Sequence, residues 1–441
     1  MTDPSPPSRN DPKKIVSWCL YDWANSAFTT LVVTFVYATY FTRYFAPDEN
    51  AGTALWSRGI VISSLLIAIA APILGAVADR GGARRRYLIA ATLTCVFATT
   101  LLTFISPVAP NAAVTALTVF VVANVAFEIG IVFYNSFLPA LVTPERIGRV
   151  SGYGWGLGYF GGLVCLVVGL LGFVGLLGEP WLGLSTEGGF NVRATNLLVA
   201  GWMLLFSLPM LLFVRDPVRP KGRVDLRGAL ADLKHTVQQL GRFREVVKFL
   251  IARLIYNDGI ITVFAFGGIY AAGTFDMSFT EVMVFGIALN VAAGTGALLF
   301  GIVDDKLGGK KTILLSLGAL VVAAAVAVLA PNRTWLWIAG IAIGVFVGPN
   351  QSASRSLMGR FVPARHQTEF FGFFAFSGKA TAFMGPLLLG VLSGAFGQRV
   401  GISTVILFFV LGAALLMTVS ESGGIEAARV ADATEPIAEH Q

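Results

Sequence analysis

The sequence predicts an all-α membrane protein, with twelve transmembrane helices arranged as two pseudo-symmetric six-helix bundles. Three observations lead there. Of the 441 residues, 55% are hydrophobic and only 13% are charged, and the mean hydropathy is +0.74. Water-soluble domains carry about 25% charged residues, so much of this surface must face lipid. Measured against the roughly 20 apolar residues that cross a bilayer, the chain divides into six runs, a polar stretch and six more runs. Short motifs of the first six then recur in the second six.

Taken in order, residues 1–14 form a polar, proline-rich tail. The first apolar run is too long for a cleavable leader and is expected to remain as a span. The runs of the first bundle (15–214) are 15–40, 59–78, 87–105, 112–137, 150–177 and 194–214. Those of the second bundle (246–419) are 246–272, 282–303, 312–330, 334–354, 369–392 and 402–419. Between them lies a basic linker, 215–245; the stretch Arg215 to Lys248 holds nine of the 32 Lys and Arg residues. Within it Leu226, Leu230, Leu233, Val237 and Leu240 recur at steps of four and three, one apolar stripe on a helix. Such a basic amphipathic helix is expected to lie on the membrane surface, cations toward anionic headgroups. The tail 420–441 is acidic and rich in small residues and is expected to be disordered.

Net charge is +7, which could mark a nucleic-acid binder, but its placement argues otherwise. With the N-terminus cytoplasmic, inner segments hold 25 Lys and Arg, outer loops five and spans two. That bias is the positive-inside signal, and it predicts cytoplasmic termini in the cell's inner membrane with no nucleic-acid partner. Cys19, Cys95 and Cys165 fall in apolar runs and the three histidines are scattered, so neither a disulfide frame nor a metal site is expected. Gly156-Leu157-Gly158-Tyr159-Phe160-Gly161 imitates a dinucleotide fingerprint but lies inside a span with no strand before it. Its glycines read instead as faces for close helix packing. No phosphate loop or metalloprotease motif is complete. Neither an enzyme nor a cofactor is expected.

The two halves share their plan. Gly75, Asp79, Arg80, Gly82, Arg84 and Arg85 follow the second span, and Gly301, Asp305, Lys306, Gly308, Lys310 and Lys311 follow the eighth, 226 positions on. Ser136, Gly152 and Gly158 recur as Ser356, Gly372 and Gly378, 220 positions on. Two six-helix units of like topology are parallel repeats about an axis along the membrane normal. The doubled loop resembles the signature of the major facilitator superfamily. Further segments narrow the likeness: Tyr21-Asp22-Trp23-Ala24-Asn25-Ser26, Phe133-Tyr134-Asn135-Ser136, Arg253 with Tyr256-Asn257-Asp258, Gln351 with Ser354-Arg355-Ser356, and Glu369 through Ser377-Gly378-Lys379. Together these resemble the unknown major facilitator (UMF) group, whose relatives include fungal vacuolar effluxers that release amino acids after autophagy. The resemblance implies a central cavity lined by spans 1, 4, 7 and 10.

Spacing alone points to the same spans. Charges inside spans are costly and usually functional; here they are Asp22, Glu128, Arg253, Asp258 and Lys379. Asp22, Asn25, Ser26 and Thr29 share one face of span 1. Asn124, Glu128 and Asn135 do so in span 4, Tyr256, Asn257, Asp258 and Thr262 mark span 7, and Asn350, Gln351 and Ser354 mark span 10. Interhelical pairing, such as Asp22 or Glu128 with Lys379, is the structural alternative. Asp22 has no basic neighbour in its own span and reads as a proton carrier, whereas Asp258, five residues from Arg253, reads as the anchor of a solute's charged end. In the doubled loops Gly75 and Gly301 permit close approach, Asp79 and Asp305 can meet a neighbouring helix's positive N-terminus, and Arg80 or Lys306 can pair across a gate. These readings describe a monomeric secondary transporter, proton-linked, moving a small polar solute such as an amino acid outward. Efflux of amphipathic drugs or transport of sugars is the alternative within that class. A membrane sensor or lipid-handling scaffold is the alternative outside it, and such a scaffold has no need of the intramembrane carboxylates.

Overall fold

In lipid every backbone N–H and C=O must be paired within its own segment, so apolar runs of this length fold as helices. The computed structural model describes residues 9–176, 178–181, 183–216, 226–238 and 241–434. Eleven helices among them are long and apolar enough to cross a membrane. The first span makes the twelfth. It is broken into Pro12–Ala27, a π-helical segment Phe28–Phe35 and Tyr37–Tyr44. In that wider segment the Thr34 hydroxyl donates to the Thr29 carbonyl, 2.8 Å away, and π-helical turns of this kind often mark functional sites.

The remaining spans of the first bundle are Glu49–Gly81, Arg84–Phe104, Ala112–Ser136, Ile147–Val168 and Thr195–Phe213. The second bundle has Arg244–Phe275, Phe279–Leu307, Gly309–Leu329, Arg333–Phe361, a split eleventh span and Gln398–Met417. The eleventh runs Gln367–Lys379, breaks, and resumes as Met384–Phe396. Pro386 stands in the first turn of the second piece, where a missing N–H leaves no intrahelical bond unmade. Most spans extend several residues beyond their apolar runs. Span 10 reaches Phe361 rather than residue 354, which brings Arg355 and Arg360 into a helix.

Two expectations are corrected. The tail, expected to be disordered, forms a helix over Glu421–Thr434. Gly424, Ala428 and Ala431 are its buried side, and Glu421 accepts from the amides of Gly309 and Lys310 (3.0 and 3.1 Å) at the start of span 9. Those amides have no partner within their own helix, which gives the tail a place to dock. The linker helix Leu226–Gln238 buries Ala229, and packs half-buried Leu233, against Ala76 and Val77 of span 2, while Leu230 is 48% exposed. The packed line therefore coincides with the leucine stripe only in part: Leu233 faces the protein and Leu230 does not. Leu240 and residues 217–225 lie outside the described residues.

The packing is uneven along the membrane normal. One core joins the bundles on the face that carries the termini, with Trp18, Ile67, Phe133 and Val150 beside Phe249, Leu357 and Phe371. The far half of the first bundle has its own core, including Phe28, Phe41, Trp56 and Phe120. Among the described residues, every hydrogen bond between bundles lies on the terminal face or near mid-depth.

Candidate functional site

The terminal face is closed by two latches, one in each copy of the doubled loop. At the end of span 2, Asp79 accepts from the backbone amides of Thr368 (2.8 Å) and Glu369 (2.9 Å) in the first turn of span 11. It also accepts from the Thr368 hydroxyl and the Arg84 guanidinium. Buried Arg84 in turn donates to the Gln367 side chain of the other bundle. At the end of span 8, Asp305 accepts from the amides of Gly148 (2.9 Å) and Arg149 (3.2 Å) opening span 5, and pairs with the Arg149 side chain. Anionic groups are favoured at helix N-termini, where amides are unpaired and the dipole is positive. Gly75 and Gly301 let the backbones meet: a Cβ on Gly75 would lie 2.5 Å from the Thr368 carbonyl oxygen, and one on Gly301 2.9 Å from Arg149 Cα. Gly82 ends span 2 at φ 60°, a conformation glycine adopts freely. Arg80 and Lys306 are exposed. Arg149 pairs with Asp305 across the gate. Asp304, which neither the doubled motif nor the polar stripes single out, is buried beside Asp305 and pairs with Arg360 at 2.7 Å.

Above the latches Asp22 is not a lone carboxylate. Arg355 of span 10 donates to it at 2.8 Å, and both are buried. The same guanidinium donates to Asn135 and twice to Ser151. Asn25 lies 3.4 Å from the Asp22 carboxylate, and the Ser26 hydroxyl donates to the Asp22 carbonyl oxygen. The reading of Asp22 as unopposed fails because its partner stands 333 positions away, on a helix that hydropathy ends one residue too soon.

Near mid-depth a second cluster gathers. Lys379, at the last turn of the first piece of span 11, pairs with Glu128 of span 4 at 2.5 Å, joining the bundles. Their side chains are 28% and 18% exposed, so the pair borders open space. Arg253 is stacked on the Phe374 ring at 3.6 Å and donates to the Phe374 carbonyl and the Ser377 hydroxyl. Its buried Nε has no hydrogen-bond partner. Gln351 donates to Asn257, which donates to the Gly378 carbonyl. Other expected residues are placed elsewhere. Asn124 donates to Ser63 and Tyr256 bonds Ser354, each within its own bundle. Asp258 is buried in span 7, with its backbone carbonyl oxygen against Gly385 in the second piece of span 11, and among the described residues it forms no ion pair.

Comparison with known proteins follows this geometry. Residues 44–429 match the family model described as "Vacuole effluxer Atg22 like". The chain belongs to that family. A relative in Bacillus subtilis (strain 168), the uncharacterized MFS-type transporter YxiO, is 27% identical over 412 residues, covering 92% of this chain and 94% of its own. Autophagy-related protein 22-1 of Aspergillus clavatus is 28% identical over 304 residues, or 63% of this chain. The match spans about half the length of that fungal relative (50%). In fold, the chain is similar to the proton:xylose symporter XylE (TM-score 0.75, 15% identity, 95% and 98% of the two chains). It is also similar to the fucose:proton symporter FucP (TM-score 0.74, 12% identity, 93% and 98%). The protein is thus a multi-pass membrane protein with the twelve-helix major facilitator fold, a secondary transporter and not an enzyme.

Proposed function

We propose that this Atg22-like transporter exports a small polar solute bearing a carboxylate, an amino acid in the first instance, by proton-linked alternating access. The observation that carries the reading is the Lys379–Glu128 pair, which joins opposite bundles near mid-depth and borders open space. Solute sites of secondary transporters lie near the bilayer midplane between repeats. Arg253 adds a second cation there with an unused N–H. A carboxylate fits Arg253 and Lys379, and an ammonium group fits Glu128. Asn257 and Gln351 supply further hydrogen-bonding groups.

The bundles are joined on the terminal face and share no hydrogen bond in the far half among the described residues, so the site is reached from the far side in this state. The charge bias makes the terminal face cytoplasmic. Proton linkage is assigned to Asp258, an intramembrane carboxylate that forms no ion pair among the described residues, in place of Asp22, which is ion-paired with Arg355. The family's description as effluxers supports the outward direction. The chain works as a monomer, since its repeats already form the two halves that rock.

Purified protein in proteoliposomes, offered labelled amino acids, sugars and amphipathic drugs with and without an imposed pH gradient, tests this. Gradient-dependent accumulation of amino acids alone is expected. Transport of sugars or drugs instead overturns the solute assignment, and indifference to the gradient overturns the proton linkage.

A further inference from the structure

Arg355 belongs to the second bundle, yet each hydrogen bond its guanidinium makes is to the first. Nε donates to Ser151 Oγ (2.9 Å), Nη1 to Asp22 (2.8 Å) and Asn135 (3.3 Å), and Nη2 to the Ser151 carbonyl oxygen (2.7 Å). The rings of Trp18, Trp155 and Tyr134 stand 4.6, 5.5 and 5.7 Å from its central carbon. All four polar atoms act as acceptors. With the face closed, the Ser151 hydroxyl gives its own proton to the Ser352 carbonyl of span 10 at 2.7 Å, so its lone pairs face the arginine. Gly154 completes the wall, for a Cβ there would lie 2.8 Å from Nη2. Acceptors at the edges and aromatic faces around a flat cation make a receptor for a guanidinium group.

A receptor held by one bundle and filled by the other cannot stay filled when the bundles part. This step rests on the alternating-access reading above. When the terminal face opens, Arg355 withdraws with span 10 and leaves the Asp22 carboxylate with no counter-charge among aromatic rings, an expensive arrangement. We propose that this socket is a cation-binding site of the first bundle, open to small guanidinium compounds from the terminal face, and that Arg355 is the tethered plug that displaces them on closure. The site is separate from the Glu128–Lys379 cluster. It would load a guanidinium-bearing solute on the face where an exporter must collect it. The planar fork of acceptors favours guanidinium over a tetrahedral ammonium group.

The test uses the full-length protein in nanodiscs, with methylguanidinium as the probe, methylammonium as the comparison and calorimetry as the readout. Arg355→Ala empties the socket in every state and should bind one methylguanidinium saturably. Adding Asp22→Asn should weaken that binding roughly tenfold or more, the scale seen when one member of a buried charge pair is removed. Methylammonium should bind more weakly than methylguanidinium. Should Arg355→Ala fail to fold, Asp79→Asn/Asp305→Asn, with both latches released and Arg355 intact, should gain methylguanidinium binding that Trp155→Ala abolishes. Binding no tighter than that of the wild-type protein, or insensitive to Asp22 and Trp155, overturns the proposal. Equal affinity for methylammonium overturns the guanidinium assignment. Because binding is measured without transport, failure here leaves the alternating-access reading standing, and a negative transport panel leaves this site standing.

Discussion

The carboxylate of Asp79 lies 2.8 Å from the amide nitrogen of Thr368, so the last turn of a span in one bundle serves as the anionic partner to the first turn of a span in the other. Asp305 does the same for Gly148 in the opposite direction. The terminal face is therefore fastened at two places related by the internal repeat. Each fastening is a charge set on a helix dipole, beside the apolar core that joins the bundles on the same face.

Neutralising the latches should separate the two copies. Asp79→Asn removes a charge-assisted acceptor from two amides, a hydroxyl and Arg84. Hydrogen bonds to charged groups contribute about 1.5–3 kcal/mol each, so a tenfold or larger drop in transport rate is expected with the folded protein retained. Asp305→Asn should do less, since Asp304 and Arg360 stand beside it. Proteoliposome rates and size-exclusion profiles of both variants check this; an Asp79→Asn protein with wild-type rates would limit the loop to a role in topology.

Glycine substitutions should discriminate by contact rather than by composition. Gly75→Ala puts a methyl group 2.5 Å from the Thr368 carbonyl oxygen, whereas Gly81→Ala meets nothing within 4 Å. The first should hold the terminal face open and cut transport at least about tenfold, because overpacking typically costs about 1–3 kcal/mol. The second should be neutral. Labelling of a cysteine placed at Ser136 with an impermeant reagent reads the opening directly.

The Glu128–Lys379 pair should matter far more to transport than to stability. Partly exposed ion pairs contribute only about 0–1 kcal/mol to folding, so Lys379→Met and Glu128→Gln should melt within a few degrees of wild type. Both should raise the solute KM by about tenfold or more if the pair contacts the solute, a loss near 1.4 kcal/mol. Unchanged KM in both variants would move the site away from this pair.

The C-terminal helix should stabilise the second bundle through a single carboxylate. Glu421→Gln weakens the acceptor for Gly309 and Lys310, and loss of such a cap costs about 1 kcal/mol. A chain stopped after Val419 should melt lower still, since it also loses the Asp432 bond to the Ala364 amide. Thermal melts in detergent give the order: wild type, then Glu421→Gln, then the truncated chain.

Topology is checked by reporter fusions at Pro220 and after Gln441. Both should report the cytoplasm, given 25 basic residues on the inner segments as a whole against five on the opposite loops. An extracytoplasmic signal from either position contradicts the assigned orientation.

Twelve spans, two like halves, the basic face and the doubled Gly–Asp loop are all legible in the sequence, because hydropathy, charge placement and spacing are local properties of the chain. Lipid forces each apolar run to satisfy its own backbone, so length and composition suffice to name a span. The partners of its charges are not legible. Hydropathy ends span 10 at Ser354 and leaves Arg355 in a loop, while the helix continues to Phe361 with its polar end buried by the other bundle. Asp22 therefore reads as unopposed. The tail reads as disordered for a related reason: its Ala–Gly side has little hydropathy of its own, and only the unpaired amides of Gly309 and Lys310 give Glu421 somewhere to bind. Asn124 and Glu128 share a face by spacing, yet one bonds Ser63 within its bundle and the other Lys379 across the gap. Sequence spacing sets which residues lie on one side of a helix. Which neighbour meets that side is set by how two bundles pack, and the contacts that decide it join residues hundreds of positions apart.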